Sequence, residues 1–140
     1  MKNNTIGIGI ITCNREHFLT KCLASIPSYV DKLVVVNDGD LLNNKIEVKG
    51  SLIQNTKNQQ VGECKNIAMR HLLDDGCDYI FTLEDDINIK DPETFNNYIK
   101  ASLETGIEHF NFGFSQRENL DHNLKPVIKK TINYKNNSII

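Results

Sequence analysis

Three consecutive carboxylates, Glu84, Asp85 and Asp86, form a cluster that could bind a cation. They follow residues 79–83 (YIFTL), an apolar run rich in aromatic and β-branched side chains, which predicts a buried strand. Because a strand alternates its faces, Glu84 and Asp86 are expected on one face and Asp85 on the other. Adjacent anions repel one another unless a positive charge lies among them, and an oxygen-bound Mg²⁺ or Mn²⁺ would supply it. An acidic, solvated turn is the alternative.

Two other strand candidates also end in polar residues. They are residues 6–12 (IGIGIIT), followed by Cys13 and Asn14, and residues 32–37 (KLVVVN), followed by Asp38 and Gly39. The carboxyl ends of parallel strands meet at one edge of a sheet, where open α/β sheets bind ligands. The sequence therefore predicts that Thr12, Asp38 and the acidic triplet share one cleft, although a turn explains each strand end equally well when it is taken singly.

Helical periodicity separates the strand candidates. The predicted helices cover about residues 14–26, with Asn14 as N-cap, about residues 61–73, and a segment that starts at Asp91-Pro92 and ends at Gly106. A further strand is predicted at residues 109–114, where aromatic residues alternate with small or polar ones, and weaker strand signals lie at residues 52–53 and 127–134. Gly7 and Gly9 alternate with isoleucines, which predicts that a helix or a ligand approaches one face of the first strand closely. Alternating strands and helices predict an α/β fold, with a parallel sheet between helices and right-handed crossovers.

Length and composition limit the class of protein. The chain of 140 residues has the size of a single domain, and its net charge of −2 gives no reason to expect nucleic-acid binding. No apolar run has transmembrane length and the first residues lack the pattern of a signal peptide, so we expect a cytoplasmic protein. Four cysteines without CxxC spacing are expected to be small buried hydrophobes rather than a zinc site or a disulfide framework.

Four segments, in order along the chain, resemble the nucleotide-binding half of family 2 glycosyltransferases, which have the GT-A fold. They are residues 11–26 (ITCNREHFLTKCLASI), 34–40 (VVVNDGD), 61–68 (VGECKNIA) and 78–95 (DYIFTLEDDINIKDPETF). The sequence departs from the family pattern twice: Asn37 replaces the first of two paired aspartates, and Glu84 replaces the first aspartate of the metal-binding Asp-x-Asp motif. The resemblance implies a GT-A-like, mostly parallel sheet flanked by helices. Residues 1–140 would form one nucleotide-sugar-binding domain, truncated so that the acceptor half is largely absent.

The resemblance also implies roles for individual residues. The implied nucleotide-binding residues are Thr12, Asn14, Asn37, Asp38, Lys65 and Asp85. Asp38 would pair with a ring N–H of the base, and Asp85 would contact the ribose or the donor sugar. Lys65 would reach a phosphate or the sugar, and a solvated helix lysine is an equal alternative. Asp86 would coordinate Mn²⁺ or Mg²⁺, with Glu84 supporting the same ion.

The implied activity is inverting transfer of a sugar from a nucleotide-diphosphate donor, with a UDP-sugar expected, to a glycan or lipid-linked acceptor, as in polysaccharide biosynthesis. A bound divalent ion would neutralise charge on the leaving diphosphate, and a carboxylate base would deprotonate the acceptor. Glu118 and Asp121 are the nearest candidates for that base in the sequence. Because the acceptor half is largely absent, we expect either a nucleotide-binding fragment of a larger enzyme or a chain whose acceptor site is supplied by a second copy or a partner chain. The enzyme is expected to be cytoplasmic and peripheral to the membrane.

Two other functions fit the same residues. A non-catalytic nucleotide-sugar-binding domain is consistent with the missing acceptor half. A sugar-phosphate nucleotidyltransferase has a similar sheet, but the Gly-rich, basic loop that follows its first strand is replaced here by residues 12–16 (TCNRE). Metal-dependent nucleotide binding with slow hydrolysis of the donor would favour the transferase over the binding domain.

Overall fold

The computed structural model describes residues 4–110 and two short strands near the carboxyl terminus. The chain divides into two compact units, residues 1–92 and 93–140. The elements of the first unit are β1 (Ile6–Thr12), α1 (Glu16–Ser25), β2 (Lys32–Asn37), β3 (Ser51–Gln54), α2 (Gln60–Asp74) and β4 (Tyr79–Glu84). Those of the second unit are α3 (Thr94–Thr105), β5 (Ile132–Tyr134) and β6 (Asn137–Ile139). In the described part of the chain, no helix combines the length and the apolar character needed to cross a lipid bilayer.

Four parallel strands form the sheet of the first unit, in the order β3-β2-β1-β4. Strand β1 lies between β2 and β4, so that Thr12 pairs with Asn37 on one side and Ile11 pairs with Glu84 on the other. The continuous apolar runs of β1 and β2 are typical of parallel strands that are covered on both faces. The predicted α/β fold with a parallel sheet is therefore confirmed, as a Rossmann-like arrangement.

Helix α2 packs on the face of β1 that carries the two glycines. A Cβ at Gly9 would lie 2.6 Å from the Cβ of Ala68, and a Cβ at Gly7 would lie 2.6 Å from the Sγ of Cys77. The buried core on this face consists of Ile11, Val34, Val36, Cys64, Ala68, Leu72 and Cys77. Full burial of a side chain such as Leu72 contributes about 1.5–3 kcal/mol, so these contacts together fix α2 against the sheet. The close approach predicted from the glycine spacing is confirmed.

Helix α1 begins later than the sequence predicts. Its N-cap is Arg15, which makes no side-chain capping hydrogen bond, so the prediction that Asn14 caps this helix is wrong. Asn14 adopts a left-handed backbone with φ 54°, and its Oδ1 accepts the amide of Asp40 at 2.7 Å. Asparagine tolerates the left-handed region better than most residues. Asn14 therefore links the end of β1 to the loop after β2 instead of capping α1.

Helix α3 also begins later than predicted, at Thr94 with Glu93 as N-cap rather than at Pro92. The Pro92 carbonyl accepts the Tyr29 hydroxyl at 2.5 Å, and a helix that started at Pro92 would have used this oxygen for a backbone amide. The predicted end of α3 is confirmed. Gly106 follows the helix with a left-handed φ of 71°, which glycine adopts without strain.

The structure describes only some residues of the two strands predicted near the carboxyl terminus. Of the strand predicted at 109–114, residues 109–110 form no strand, and residues 111–114 lie outside the described residues. Of the strand predicted at 127–134, residues 132–134 form β5, which pairs antiparallel with β6, and residues 127–131 lie outside the described residues. The candidate bases Glu118 and Asp121 lie outside them as well.

All four cysteines are free thiols, and three of them, Cys22, Cys64 and Cys77, are buried as predicted. Burial raises the pKa of Cys22 and of Cys64 to about 11, and nearby carboxylates add to the increase. These two thiols therefore stay protonated in the core, where the Cys64 thiol also donates a hydrogen bond to Asp38. Cys13 is exposed, which corrects the prediction for this residue, because it follows the last residue of β1, where the chain leaves the core.

Candidate functional site

A cleft of about 310 Å³ opens at the carboxyl edge of the parallel sheet. Strand β2 lies on one side of β1 and β4 on the other, so the cleft is at the point where the strand order reverses. Parallel α/β sheets bind ligands at this point. The lining of the cleft includes Thr12, Cys13, Arg15, Asp38, Gln60 and Glu84. The structure thus brings the polar ends of three strands together at one edge.

Only the first residue of the acidic triplet, Glu84, belongs to the sheet. Strand β4 ends at Glu84, and Asp85 and Asp86 form a turn in which the Ile87 amide donates to the Glu84 carbonyl at 3.1 Å. The expectation that strand alternation separates Asp85 from Asp86 is therefore wrong. Both aspartate carboxylates contact the guanidinium group of Arg15.

Asp85 is fully buried, with 0% of its surface exposed. Its Oδ2 accepts the Thr12 hydroxyl at 2.7 Å, and its Oδ1 accepts the guanidinium of Arg15. Its amide extends the pairing with β1 by donating to the Ile11 carbonyl at 3.1 Å. A buried carboxylate is stable only when it is paired and hydrogen-bonded, so Asp85 is an internal anchor of the turn. The sugar contact predicted for Asp85 and the nucleoside contact predicted for Thr12 would compete with these bonds.

Arg15 is the site residue that the sequence patterns did not identify. Its guanidinium contacts Asp85, lies 3.5 Å from the Oδ2 of Asp86 and is 5.4 Å from the centre of the Phe18 ring. Burial lowers the pKa of Arg15 and the neighbouring carboxylates raise it, with a net increase over its ordinary value. The sequence did contain one signal. An arginine at the start of a helix faces the positive end of the helix dipole, which disfavours it unless carboxylates lie nearby.

Lys65 reaches the acidic turn from α2. Its Nζ lies 3.0 Å from the Oε1 of Glu84, and the two side chains are 35% and 44% exposed. The predicted contact of Lys65 with a phosphate is therefore compatible with its place beside a residue that lines the cleft. Arg15 and Lys65 together bring two positive charges to three carboxylates, so one net negative charge remains. These basic side chains offset most of the repulsion expected within the triplet.

Asp38 caps α2 from outside the helix. Its carboxylate accepts the backbone amides of Gln59 and Gln60 at 2.8 and 2.9 Å, and the side-chain amide of Asn55 at 2.6 Å. Burial raises the pKa of Asp38, but these hydrogen bonds and one from Cys64 outweigh burial and hold the pKa below its ordinary value of 3.8. A negative charge at the N-terminus of a helix is favourable, so Asp38 joins β2 to α2. Its predicted pairing with a base stays a prediction.

Asn37 and Asn14 shape the loop that follows β2. The buried Asn37 side chain donates to the Asp40 carbonyl at 2.6 Å and to the Oε1 of Gln54 at 2.7 Å, and it accepts the Gly39 amide at 3.2 Å. A Cβ at Gly39 would collide with the side chain of Asn14, so the loop requires glycine at this position. Both asparagines therefore have a structural task, and their predicted part in nucleotide binding is a separate hypothesis.

Glu84 and Asp86 keep partly exposed carboxylates, with 44% and 45% of their side chains accessible. Mg²⁺ is usually held by one or two carboxylates and completed by substrate phosphates, and Mn²⁺ accepts the same oxygen ligands. The donor atoms at the acidic turn therefore fit such an ion. Among the residues that the structure describes, no group of three or more His, Cys, Asp or Glu side chains is placed to hold a metal ion.

Fold and site together define an α/β protein with a charged cleft at the carboxyl edge of a Rossmann-like parallel sheet. No protein-family model, curated protein or solved structure matched the chain. A function for the cleft is therefore inferred from its residues and their geometry.

Proposed function

We propose that the chain binds a nucleotide-diphosphate sugar in this cleft and is the donor-binding part of a metal-dependent, inverting glycosyltransferase. The meeting of three polar strand ends at the cleft carries the proposal, because parallel sheets bind nucleotides at that edge. The resemblance of four ordered segments to family 2 glycosyltransferases supports the same function and the GT-A assignment. A UDP-sugar is the expected donor, and a glycan or a lipid-linked molecule is the expected acceptor.

The charged groups beside the cleft fit a diphosphate and a divalent ion together. Asp86 and Glu84 would hold Mg²⁺ or Mn²⁺, which when bound offsets the charge that develops on the leaving diphosphate. Asp85 would keep the turn in place through Thr12 and Arg15. The triplet and its two basic partners carry one net negative charge, which repels a diphosphate, and this charge becomes positive once the site holds a divalent ion.

Inverting transfer also needs a carboxylate that takes the proton of the acceptor hydroxyl. Glu118 and Asp121 are the candidates within the chain. The alternative is an acceptor site that a second copy of the chain or a partner protein supplies.

Calorimetric titration of UDP-sugars with and without Mn²⁺, followed by an assay of donor hydrolysis, tests the proposal. Wild-type protein is expected to bind about tenfold more tightly with Mn²⁺, and Asp86→Ala should abolish this difference because the ion loses its main ligand. Glu63→Ala is the control, since it removes an exposed carboxylate of α2 that pairs with Arg70. Binding that Mn²⁺ does not change, or an unchanged effect of Mn²⁺ in Asp86→Ala, contradicts the proposal.

A nucleotide-sugar-binding domain without catalysis is the second candidate. The observation that favours it is the pairing of the acidic triplet with Arg15 and Lys65, which supplies counter-charge without a metal. Tight binding of a UDP-sugar that does not depend on Mn²⁺, with no hydrolysis of the donor, would select this candidate.

A further inference from the structure

The first residue of α2, Gln60, has a left-handed backbone with φ 68°. Glycine adopts this region freely, whereas a residue with a Cβ is strained there. Asp38 holds this turn in place, since its carboxylate accepts the amides of Gln59 and Gln60 at 2.8 and 2.9 Å. Strain that is retained at the lining of a ligand cleft points to a use for the side chain that carries it.

The Gln60 side chain is exposed and lines the cleft together with Asn58. Asn58 donates from Nδ2 to the Asp38 carbonyl at 3.3 Å, which holds its amide group at the end of the cleft formed by α2. A side-chain amide has two N–H donors and an acceptor oxygen. Because the Nδ2 of Asn58 also donates to the Cys13 Sγ at 4.0 Å, Asn58 offers its Oδ1 acceptor, whereas Gln60 offers donors and an acceptor. Two such groups match the edge of a nucleobase, which also carries donors and acceptors side by side.

Asp38 is poorly placed to read a base itself. It is 7% exposed, and its two carboxylate oxygens accept three hydrogen bonds from the amides of Asn55, Gln59 and Gln60 and a fourth from the Cys64 thiol. A base that donated to Asp38 would have to displace one of the bonds that hold the N-terminus of α2, and the abandoned donor would lose its partner. Recognition of the base therefore falls to the neighbouring side chains.

We propose that the side-chain amide of Gln60, with that of Asn58, reads the base of a bound nucleoside diphosphate, while Asp38 holds the turn that presents both amides. The inference rests on the proposed function. Uracil, cytosine, adenine and guanine differ in the order of donors and acceptors along their edges, so amides held in one place distinguish among them. Contact with the base gives a reason for glutamine, rather than glycine, at a left-handed position.

Calorimetric titration of UDP, CDP, ADP and GDP in the presence of Mn²⁺ tests the assignment. Wild-type protein is expected to prefer one base over the other three. Gln60→Gly should reduce this preference about five- to tenfold, the effect of one hydrogen bond, and its melting temperature should stay equal or rise because the strain is relieved. Gln60→Ala should lose the same preference without the rise in melting temperature, since alanine keeps the strain.

Gly62→Ala is the matched control in the same turn of α2. A Cβ at Gly62 meets nothing within 4 Å, and alanine is the better helix former, so this variant should be stabilised. Its preference among the four nucleotides should equal that of the wild type. The control thus separates a change in the stability of α2 from the loss of the Gln60 amide.

Each other outcome of the titrations counts against the assignment. Unchanged ratios of the four Kd values in both Gln60 variants would overturn it and leave nucleotide binding intact, as would equal Kd values in the wild type. If the Gln60 variants do not fold, Asn58→Ala carries the same test, and unchanged ratios in that variant overturn the assignment. A wild-type protein that binds none of the four nucleotides overturns the proposed function along with it.

Discussion

The two sides of the cleft stabilise their carboxylates in different ways. At the end of β2, Asp38 accepts three hydrogen bonds from neutral amides, and both of its oxygens are used to hold the start of α2. At the end of β4, the acidic triplet is paired with the charged side chains of Arg15 and Lys65. A carboxylate whose oxygens accept backbone amides stabilises the fold. A partly exposed carboxylate that is paired with a partly exposed cation can exchange that partner for a ligand.

Asp85 shows that burial, rather than position in a motif, separates the two kinds of carboxylate. It belongs to the acidic triplet, yet it is fully buried and both of its oxygens are engaged by Thr12 and Arg15. In its surroundings it resembles Asp38 more than its own neighbours. The cleft and the acidic turn beside it therefore have two anchored carboxylates, Asp38 and Asp85, and two partly exposed, available ones, Glu84 and Asp86.

Removing the charge that balances Asp85 should have the largest effect. Arg15→Gln leaves a fully buried carboxylate without its cation, and it should lower the free energy of unfolding by about 3 kcal/mol. Urea denaturation followed by circular dichroism measures this change. Arg70→Gln, which removes the partner of the exposed Glu63, is the control and should leave the urea midpoint unchanged. If both variants unfold at the wild-type midpoint, Asp85 is not an anchor.

The capping carboxylate on the other side of the cleft should have a smaller effect that depends on pH. Asp38→Asn replaces one acceptor oxygen that faces α2, and it should lower the free energy of unfolding by about 1–2 kcal/mol at neutral pH. The folded-state pKa of Asp38 lies below 3.8, so its stabilising contribution is complete above that value and is lost as the pH falls through the folded-state pKa.

Urea denaturation of wild type and Asp38→Asn over a range of acidic pH measures this dependence. The difference in stability between the two proteins should shrink as the pH falls below 3.8. The other carboxylates titrate in both proteins, and the subtraction removes their contribution. A difference that stays constant down to the lowest pH at which both proteins fold would be incompatible with a charged cap.

The hydrophobic pattern predicts the sheet and the place of the cleft. Residues 6–12 and 32–37 form β1 and β2 with the predicted bounds, because apolar runs rich in isoleucine and valine are stable in strands covered on both faces. Alternation of these strands with helices predicts the parallel connection, and a parallel sheet brings its carboxyl ends to one edge. The hydrophobic pattern is therefore enough to predict that the polar strand ends meet at one edge of the sheet.

The partners of the polar side chains could not be predicted from the same pattern. Asn14 has the right type for an N-cap, but a hydrogen bond to a residue 26 positions away takes its side chain. Asp38 caps a helix whose first amide lies 22 positions further on, and the pairing of Arg15 with Asp85 spans 70 positions. Such contacts form only after the sheet has brought the strand ends together. Sequence patterns for caps and turns use only residues that are close in sequence, so they cannot predict these long-range contacts.

The smallest change in stability is expected at the exposed ion pair, which separates available from anchored carboxylates most directly. Because Lys65 and Glu84 are 35% and 44% exposed, water replaces the lost partner in Lys65→Gln, and the free energy of unfolding should change by less than about 1 kcal/mol. The affinity for UDP, measured by calorimetry at low ionic strength, should fall about fivefold, and salt should reduce this difference. A loss of stability as large as that of Arg15→Gln would mean that Glu84 is anchored in the same way as Asp85. The acidic turn would then have Asp86 as its single available carboxylate.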